Sequence, residues 1–463
     1  MKRTRSRPAY TGPVAPPRVL LLMAARSYRA RAFLSAARQL GVEVVVGSDY
    51  RVPFKSRTRA TQLGLDFARP RRAARVVAEL AEEAPFNGLV NVDDDSTVVA
   101  ATTANELGLA YNSVDAARNT RDKYRARLAL RRAGLPTPWF RRVTIDDDPA
   151  VLARRMKYPC VLKPVAQAAS RGVIRANDRE EFVHAFERIA RMLRDDRKGQ
   201  RQLIVESFLP GPEVALEGLL DKGSLRILTI WDKPDPLDGP FFEETIYVTP
   251  SRLPQDVQDA VADTTARAAA ALGLRHGPIH AELRIGPGGP WVLEVAARSI
   301  GGLCSSVLRF GTGMSLEEII LRHAVGQDVP TFEREGMAAG AMMLPIPRPG
   351  LLREVRGRDE ALAVPGIEDI EITIPLGQPV VPLPEGDRYL GFVFAWAETP
   401  AEVEAALHEA HRRLGFVIAT PEELANEVLC LPATPARVLL PMAPTEALRA
   451  PRRRRAAASA APR

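Results

Sequence analysis

Residues 279–298 read Ile279-His280-Ala281-Glu282-Leu283-Arg284-Ile285-Gly286-Pro287-Gly288-Gly289-Pro290-Trp291-Val292-Leu293-Glu294-Val295-Ala296-Ala297-Arg298. The centre is a cluster of turn formers, and the flanks alternate apolar with polar, so the stretch predicts an antiparallel hairpin. Pairing symmetric about Gly288 sets Glu282 opposite Glu294 and Leu283 opposite Leu293. One face then carries Ala281, Leu283, Ile285, Trp291, Leu293 and Val295 toward a core; the other carries His280, Glu282, Arg284, Glu294 and Arg298. Two carboxylates directly opposite, with Cβ atoms about 5 Å apart, destabilise a sheet unless something positive lies between them. An oxygen-seeking divalent ion such as Mg²⁺ answers that need, and so does Arg284.

Upstream, Val161-Leu162-Lys163-Pro164 reads as a strand that delivers a lysine and is stopped by proline. The following run, Val165-Ala166-Gln167-Ala168-Ala169-Ser170-Arg171-Gly172-Val173, has small residues that let backbone approach an anion, with Ser170 and main-chain N–H groups as donors. It is not a Walker loop, and taken alone an ordinary hairpin loop reads equally well. Val205-Glu206-Ser207-Phe208-Leu209-Pro210-Gly211-Pro212-Glu213 ends a strand in a hinge whose backbone suits an adenine edge.

Around these blocks the pattern is α/β. Val19–Met23, an amphipathic segment over 28–40 and a strand over 42–47 make a βαβ opening. A further strand, 88–92, leads through Asp93-Asp94-Asp95-Ser96 into a helix ending at Gly108, which predicts a small doubly wound domain. The turn after the first strand lacks Gly-x-Gly-x-x-Gly, which argues against a nicotinamide enzyme. The aspartates read as helix-start residues or as ligands. A helical stretch over 113–140 ends at Gly134 and the prolines beyond. Strands at 213–220 and 225–231 flank Asp221-Lys222-Gly223, with Trp231, Asp232 and Lys233 expected in a loop. Helices follow at 255–272, 315–325 and 400–413, the last after Pro-rich strands that begin near 335.

The chain has 463 residues and a formal charge of +8, which raises the question of a nucleic-acid partner. Residues 1–18 hold five basic residues and 449–463 hold six, with no acid in either segment. Setting those eleven aside from the 64 Lys and Arg leaves 53 against 56 acids, so the body is near neutral. The basicity belongs to Pro/Ala/Arg-rich tails expected to be disordered. No run has the roughly 20 apolar residues of a membrane-spanning helix. The first apolar run does not suit a secretory signal, which predicts a cytoplasmic protein. Cys160, Cys304 and Cys430 offer neither a disulfide framework nor a zinc spacing and read as buried thiols. His184, His276, His323, His408 and His411 are scattered and receive no role.

Together the three blocks resemble the ATP-grasp superfamily. The resemblance implies a pre-ATP-grasp Rossmann-like domain (18–112), a two-lobed ATP-grasp fold (113–327) and a C-terminal α+β domain (335–435), between basic tails at 1–17 and 436–463. It implies ATP binding by Lys123, Lys163, Ser170, Gly172, Glu206, Phe208 and Leu209, with Glu213 on the ribose. It implies Mg²⁺, two ions with Mn²⁺ as a substitute, on Glu282 and Glu294. Arg298 is expected to act on the acyl centre, with Gly301 and Gly302 lending N–H groups. His280 reads either as a contact for the amine or as a satisfied core histidine. Two departures stand out: Ala296 replaces a common Asn, and the loop 166–169 is poorer in glycine than usual. The sequence Glu294-Val295-Ala296-Ala297-Arg298 with Gly301-Gly302, and the C-terminal stretches 340–343 and 389–395, are similar to the L-amino acid ligases that make dipeptides. The implied reaction is ADP-forming union of a carboxylate with an amine through an acylphosphate. The substrates are small molecules and a homodimer is the default assembly. The rival expectations are another ATP-grasp activity, such as a carboxylase or a purine or natural-product ligase, and a non-catalytic ATP- or nucleic-acid-binding protein.

Overall fold

The computed structural model describes residues 15–25, 27–49, 61–196, 199–420 and 422–423. Apart from 15–17, the two tails lie outside these residues, as does Cys430. The chain forms one compact unit, Met1–Ala419, and a second, Thr420–Arg463, described only where Thr420 and Glu423 exchange capping hydrogen bonds. No helix among the described residues is long and apolar enough to cross a membrane.

The first unit opens with β1 (Arg18–Leu22), α1 (Ala30–Gln39), β2 (Glu43–Ser48), β3 (Thr61–Gly64), α2 (Pro70–Glu83), β4 (Gly88–Asn91) and α3 (Thr97–Leu107). The four strands form a parallel sheet in the order β3-β2-β1-β4. The doubly wound reading stands, with β3 and α2 added between the expected units. A one-turn 3₁₀ segment, Asp94–Ser96, lies between β4 and α3, and the carboxylate of Asp93 caps neither helix.

The single helical stretch expected over 113–140 is two helices, α4 (Val114–Arg121) and α5 (Lys123–Arg132), followed by β5 (Phe140–Thr144). The break is at Asp122, whose backbone is extended and whose side chain accepts from Tyr124 N and Arg125 N. This N-cap restarts the helix and puts Lys123 in its first turn. Then come α6 (Pro149–Ala153), β6 (Cys160–Pro164), β7 (Ile174–Ala176), α7 (Arg179–Asp195) and β8 (Gln202–Ser207), the strands forming a sheet β5-β8-β6-β7.

The larger lobe is built from β9 (Glu213–Asp221), β10 (Ser224–Lys233), β11 (Ile246–Thr249), α8 (Gln255–Leu272), β12 (Gly277–Gly286) and β13 (Gly289–Ala296). The residues Trp231, Asp232 and Lys233, expected in a loop, are the buried end of β10, paired with the start of β9. After the short β14 (Arg309–Phe310) and β15 (Met314–Ser315), α9 (Leu316–Ala324) starts in a Ser315/Glu318 capping box. The rest is β16 (Ala338–Leu344), β17 (Gly350–Arg356), α10 (Arg358–Leu362), β18 (Ile367–Ile372), β19 (Pro379–Val380), β20 (Gly391–Ala397), α11 (Pro400–Arg413) and β21 (Gly415–Ala419).

One antiparallel sheet, β13-β12-β9-β10-β11-β16-β20-β18, runs from the β12–β13 hairpin into the C-terminal region through the β11–β16 pairing. A single core cluster holds Val19 and Phe33 of the first sheet, Trp231 and Tyr247 of the large sheet, Ile319 of α9 and Phe392 of β20. The three parts therefore bury one another's apolar faces, and the cleft between them is held by packing.

Candidate active site

The expected hairpin forms, and Glu282 pairs with Glu294. Beyond that pair the register slips, so that Leu283 faces Val292 instead of Leu293. One extra residue reverses every side chain that follows it. Val292 thus enters the core beside Ala281, Leu283 and Val295, while Leu293 turns to the cavity and Trp291 is left half-buried. On the free edge of β13, Arg127 donates to Val292 O (2.9 Å) and Leu293 O (3.0 Å) and so satisfies two carbonyls beside the bulge.

Arg284 does not neutralise the carboxylate pair; its Nε donates to Glu213 (3.0 Å) and its Nη1 to Leu209 O (2.7 Å). Two lysines do so instead. Lys123 Nζ lies 3.0 Å from Glu294 Oε2, and Lys233 Nζ lies 3.1 Å from Glu282 Oε1. Lys233 also reaches Glu213 (2.7 Å) and Glu244 (2.6 Å) and sits over the Tyr247 ring. Burial alone would lower its pKa, yet the three glutamates raise it well above the ordinary value. Glu282 stays ionised because Lys233 and His280 outweigh its desolvation, whereas burial and the Glu282 charge push the Glu244 pKa upward.

His280 is buried, its Nδ1 bonded to Glu217 and its Nε2 3.5 Å from Glu282 Oε1. Burial opposes its charge, but the Glu217 carboxylate and the Glu282 contact raise it to about 9. Its hydrogen bonds give it the partners expected of a satisfied core histidine, and its ring also lines the cavity. The other Glu217 oxygen accepts from Ile300 N (3.0 Å) and ties β9 to the segment after Arg298.

Lys163, at the end of β6, contacts Glu206 (2.9 Å), and Arg127 grips the same carboxylate through Nε and Nη2. Arg127 and Lys163 outweigh the desolvation of buried Glu206 and bring its pKa down to about 2. Its side chain is thereby engaged within the protein. The hinge beyond it supplies Phe208, stacked on Phe242 with Arg175 and Arg284 against its ring. Glu213 is likewise held between Lys233 and Arg284.

The small-residue loop is pinned on several sides. Lys123 N donates to Val165 O, Lys123 Nζ to Gln167 O (2.8 Å) and Arg121 to Ala166 O (3.1 Å). Gly172 N donates to Pro384 O, and Arg171 reaches Glu385 O. Gly172 stands behind the loop against Pro164, while Ala168, Ala169 and Ser170 line the cavity. Ala169 and Ser170 both adopt left-handed backbone (φ 54° and 52°), a conformation that costs non-glycine residues about 1 kcal/mol each.

Arg298 donates from Nε (3.0 Å) and Nη2 (2.7 Å) to Asp94 and from Nη1 to Ser299 O. A guanidinium has five N–H groups, so one remains on each terminal nitrogen. Asp94 is half-buried, and Arg298 and Arg121 overcome its desolvation and hold it at about 2. Neighbouring Asp93 accepts from Ala24 N and Ser27 Oγ and braces the turn after β1. The aspartates thus act as anchors for the turn and for Arg298. Gly302, left-handed at φ 59°, leaves no room for a Cβ, which would lie 2.7 Å from the Phe392 ring. Tyr28 and Tyr389 pack edge-on against the same ring.

Most of these groups line one cavity of about 410 Å³, with Lys233, Arg127 and Glu217 standing behind its wall. Val161, Phe208, Leu209, Leu237, Phe242 and Leu293 give it apolar wall. Lys123, Lys163, Ser170, Glu282, Glu294, Arg298, Gly301 and Gly302 also line it; of the residues expected at the site, only Gly172 does not. Sequence reasoning gave no site role to Lys233, Glu217, Glu244, Tyr28 and Tyr389, and it read Asp94 as a helix-start residue or ligand, not as the anchor of Arg298. The run of three aspartates was the one local signal for any of them.

The family model for the ATP-grasp domain matches residues 156–307, that for the ATP-grasp N-terminal domain 34–110, and that for L-amino acid ligase C-terminal domain 2 residues 342–420. An uncharacterized protein of Sinorhizobium fredii is 26% identical over 306 residues, 66% of this chain and 63% of its own. The alanine–anticapsin ligase of Bacillus subtilis strain 168 is 27% identical over 270 residues, 52% of this chain and 57% of its own. The chain thus spans somewhat under two thirds of the length of these relatives. The crystal structure of an L-amino acid ligase from Bacillus licheniformis superposes with a TM-score of 0.76 at 26% identity, covering 88% of this chain and 99% of that one.

Proposed function

Since this chain is an ATP-grasp protein of the carboxylate–amine ligase type, we propose that it joins an amino acid or similar carboxylate to an amine, commonly a second amino acid, with ATP converted to ADP and phosphate. The single observation that carries the proposal is the convergence, on one cavity, of two lysines, two facing glutamates and an anchored arginine drawn from distant parts of the chain. The likeness to L-amino acid ligases in the C-terminal region, which contributes Met343, Asp387 and Tyr389 to the same cavity, favours an amino-acid substrate over a carboxylase reaction.

In the proposed reaction a substrate carboxylate oxygen attacks the γ-phosphorus, and the bond to the leaving ADP breaks. The amine nitrogen then attacks the acyl carbon, the C–O bond to phosphate breaks and the nitrogen loses its proton. Such phosphoryl transfer is mostly positioning and charge neutralisation. Lys123 and Lys163 supply fixed positive charge to the phosphates, and Ser170 with the loop N–H groups supplies donors. Phe208, Leu209 and Phe242 offer the base an apolar seat. Glu282 and Glu294 form an oxygen-only donor set, with Glu282 held ionised, which fits Mg²⁺ and tolerates Mn²⁺, in one or two ions. A bound ion there would offset phosphate charge. Arg298 directs its two remaining N–H groups at the carboxylate and then at the oxyanion, and Asp94 keeps the fork in place.

The test is phosphate release from ATP across a matrix of amino acids and amines, with products identified by mass spectrometry. Amide formation stoichiometric with ADP is expected. Phosphate release that needs bicarbonate and no amine would sink the proposal in favour of carboxylation.

A further inference from the structure

We propose that Asp221, His276 and His323 form a second metal site, separate from the cavity above and suited to Zn²⁺ or a similar first-row divalent ion. One ligand atom from each of the three lies within 4.8 Å of the other two. Donors about 2.1 Å from a tetrahedral zinc are about 3.4 Å apart, so small side-chain rotations close the set. His323 Nε2 is already 3.9 Å from Asp221 Oδ1.

The fold brings these residues together for reasons independent of any ion. Asp221 ends β9 at the hairpin turn. Continuing the β9–β12 register one residue past Gly277–Leu220 sets His276 opposite it. His323 comes from the last turn of α9. The His276 backbone is fixed by Asn112, whose Oδ1 accepts from Arg275 N and His276 N and whose Nδ2 donates to His276 O. Asp221 is exposed and the histidines half-buried, so an ion has access and the carboxylate is free to swing.

The donor set selects the metal. Two imidazoles and one carboxylate suit Zn²⁺, Co²⁺ or Ni²⁺, while Mg²⁺ and Ca²⁺ take oxygen ligands. Three protein ligands leave a fourth position for water. A bound ion would clip the β9–β10 turn and the start of β12 to the C-terminal end of α9, behind the strand that carries Glu282.

The experiment uses the untagged full-length protein, stripped with chelator and held in excess Mg²⁺ to occupy oxygen sites. Calorimetry with Zn²⁺ and visible absorption with Co²⁺ should report one ion bound. His323→Gln and Asp221→Asn should weaken binding by about 10²-fold, scaled from the effect of disturbing groups around a metal. Zn²⁺ should raise the thermal midpoint of the wild type and not that of His323→Gln. Equal metal-free midpoints check that the variants fold. Absence of Zn²⁺ binding in excess Mg²⁺, or equal binding by wild type and both variants, overturns the proposal. Amide formation without added Zn²⁺ should be unchanged in both variants, which separates this site from the ligase reading.

Discussion

Arg298 is defined by its anchoring. Asp94 takes two of its N–H groups and Ser299 O a third, so the guanidinium cannot turn away from the cavity. Arg298→Ala should leave ATP·Mg binding by calorimetry nearly intact and lower amide formation by roughly 10²-fold or more, the scale for losing a donor to a developing oxyanion. Equal losses in both measurements would place Arg298 on the nucleotide or in the fold. Glu294→Gln removes a proposed metal donor and one half of a like-charge pair. It should abolish Mg²⁺-dependent ADP formation while leaving the thermal midpoint close to that of the wild type. Lys233 is a different case, since it is buried among Glu213, Glu244 and Glu282. Lys233→Met removes the cation that three clustered carboxylates share, leaving only Arg284 on Glu213 and His280 on Glu282, and should cost about 3–5 kcal/mol. The loss should appear as a lower thermal midpoint at pH 7 and shrink at pH 5, where protonation relieves the repulsion.

Between elements, the buried Arg127–Glu206 pair, with half-buried Lys163 on the same carboxylate, ties α5 to β8, β6 and the bulged edge of β13. Glu206 is depressed from 4.5 to about 2, so its contribution is fully present above the unfolded value and is lost as pH falls from about 4.5 toward 2. The shift corresponds to roughly 3 kcal/mol at neutral pH. Urea midpoints should therefore drop across this window in the wild type and change less in Glu206→Gln, which starts lower because Arg127 and Lys163 lose their partner. A parallel acid profile in the two proteins would remove Glu206 from the linkage. The β12–β13 bulge has a comparable scale. It lets one strand present Glu294 opposite Glu282 and still bury Val292, a combination that uninterrupted period-two pairing does not allow.

At the scale of the molecule, the charge of the chain and its chemistry lie in different places. The near-neutral body holds every group that lines the cavity, so removing residues 1–16 and 450–463 should leave steady-state ligase kinetics unchanged at low and high salt. A large loss of turnover at low salt would bring the tails into the mechanism. The hairpin, its turn and the Glu282–Glu294 pair were legible in the sequence because strand alternation and turn chemistry are local, and like charges facing each other advertise a cation. The lysine strand and the hinge were legible for the same reason. Local pattern carried no sign of Asp94 holding Arg298, since the two are 204 residues apart, or of Lys233 as the cation for three glutamates contributed by three different segments. Nor did the scattered His276 and His323 signal that they would meet Asp221. The sequence by itself determined which chemistry the chain carries and on which strands. Only the tertiary structure decided which charges from distant segments face one another, because burial and pairing energies belong to neighbours in space, and packing three parts of the chain around one core chooses those neighbours.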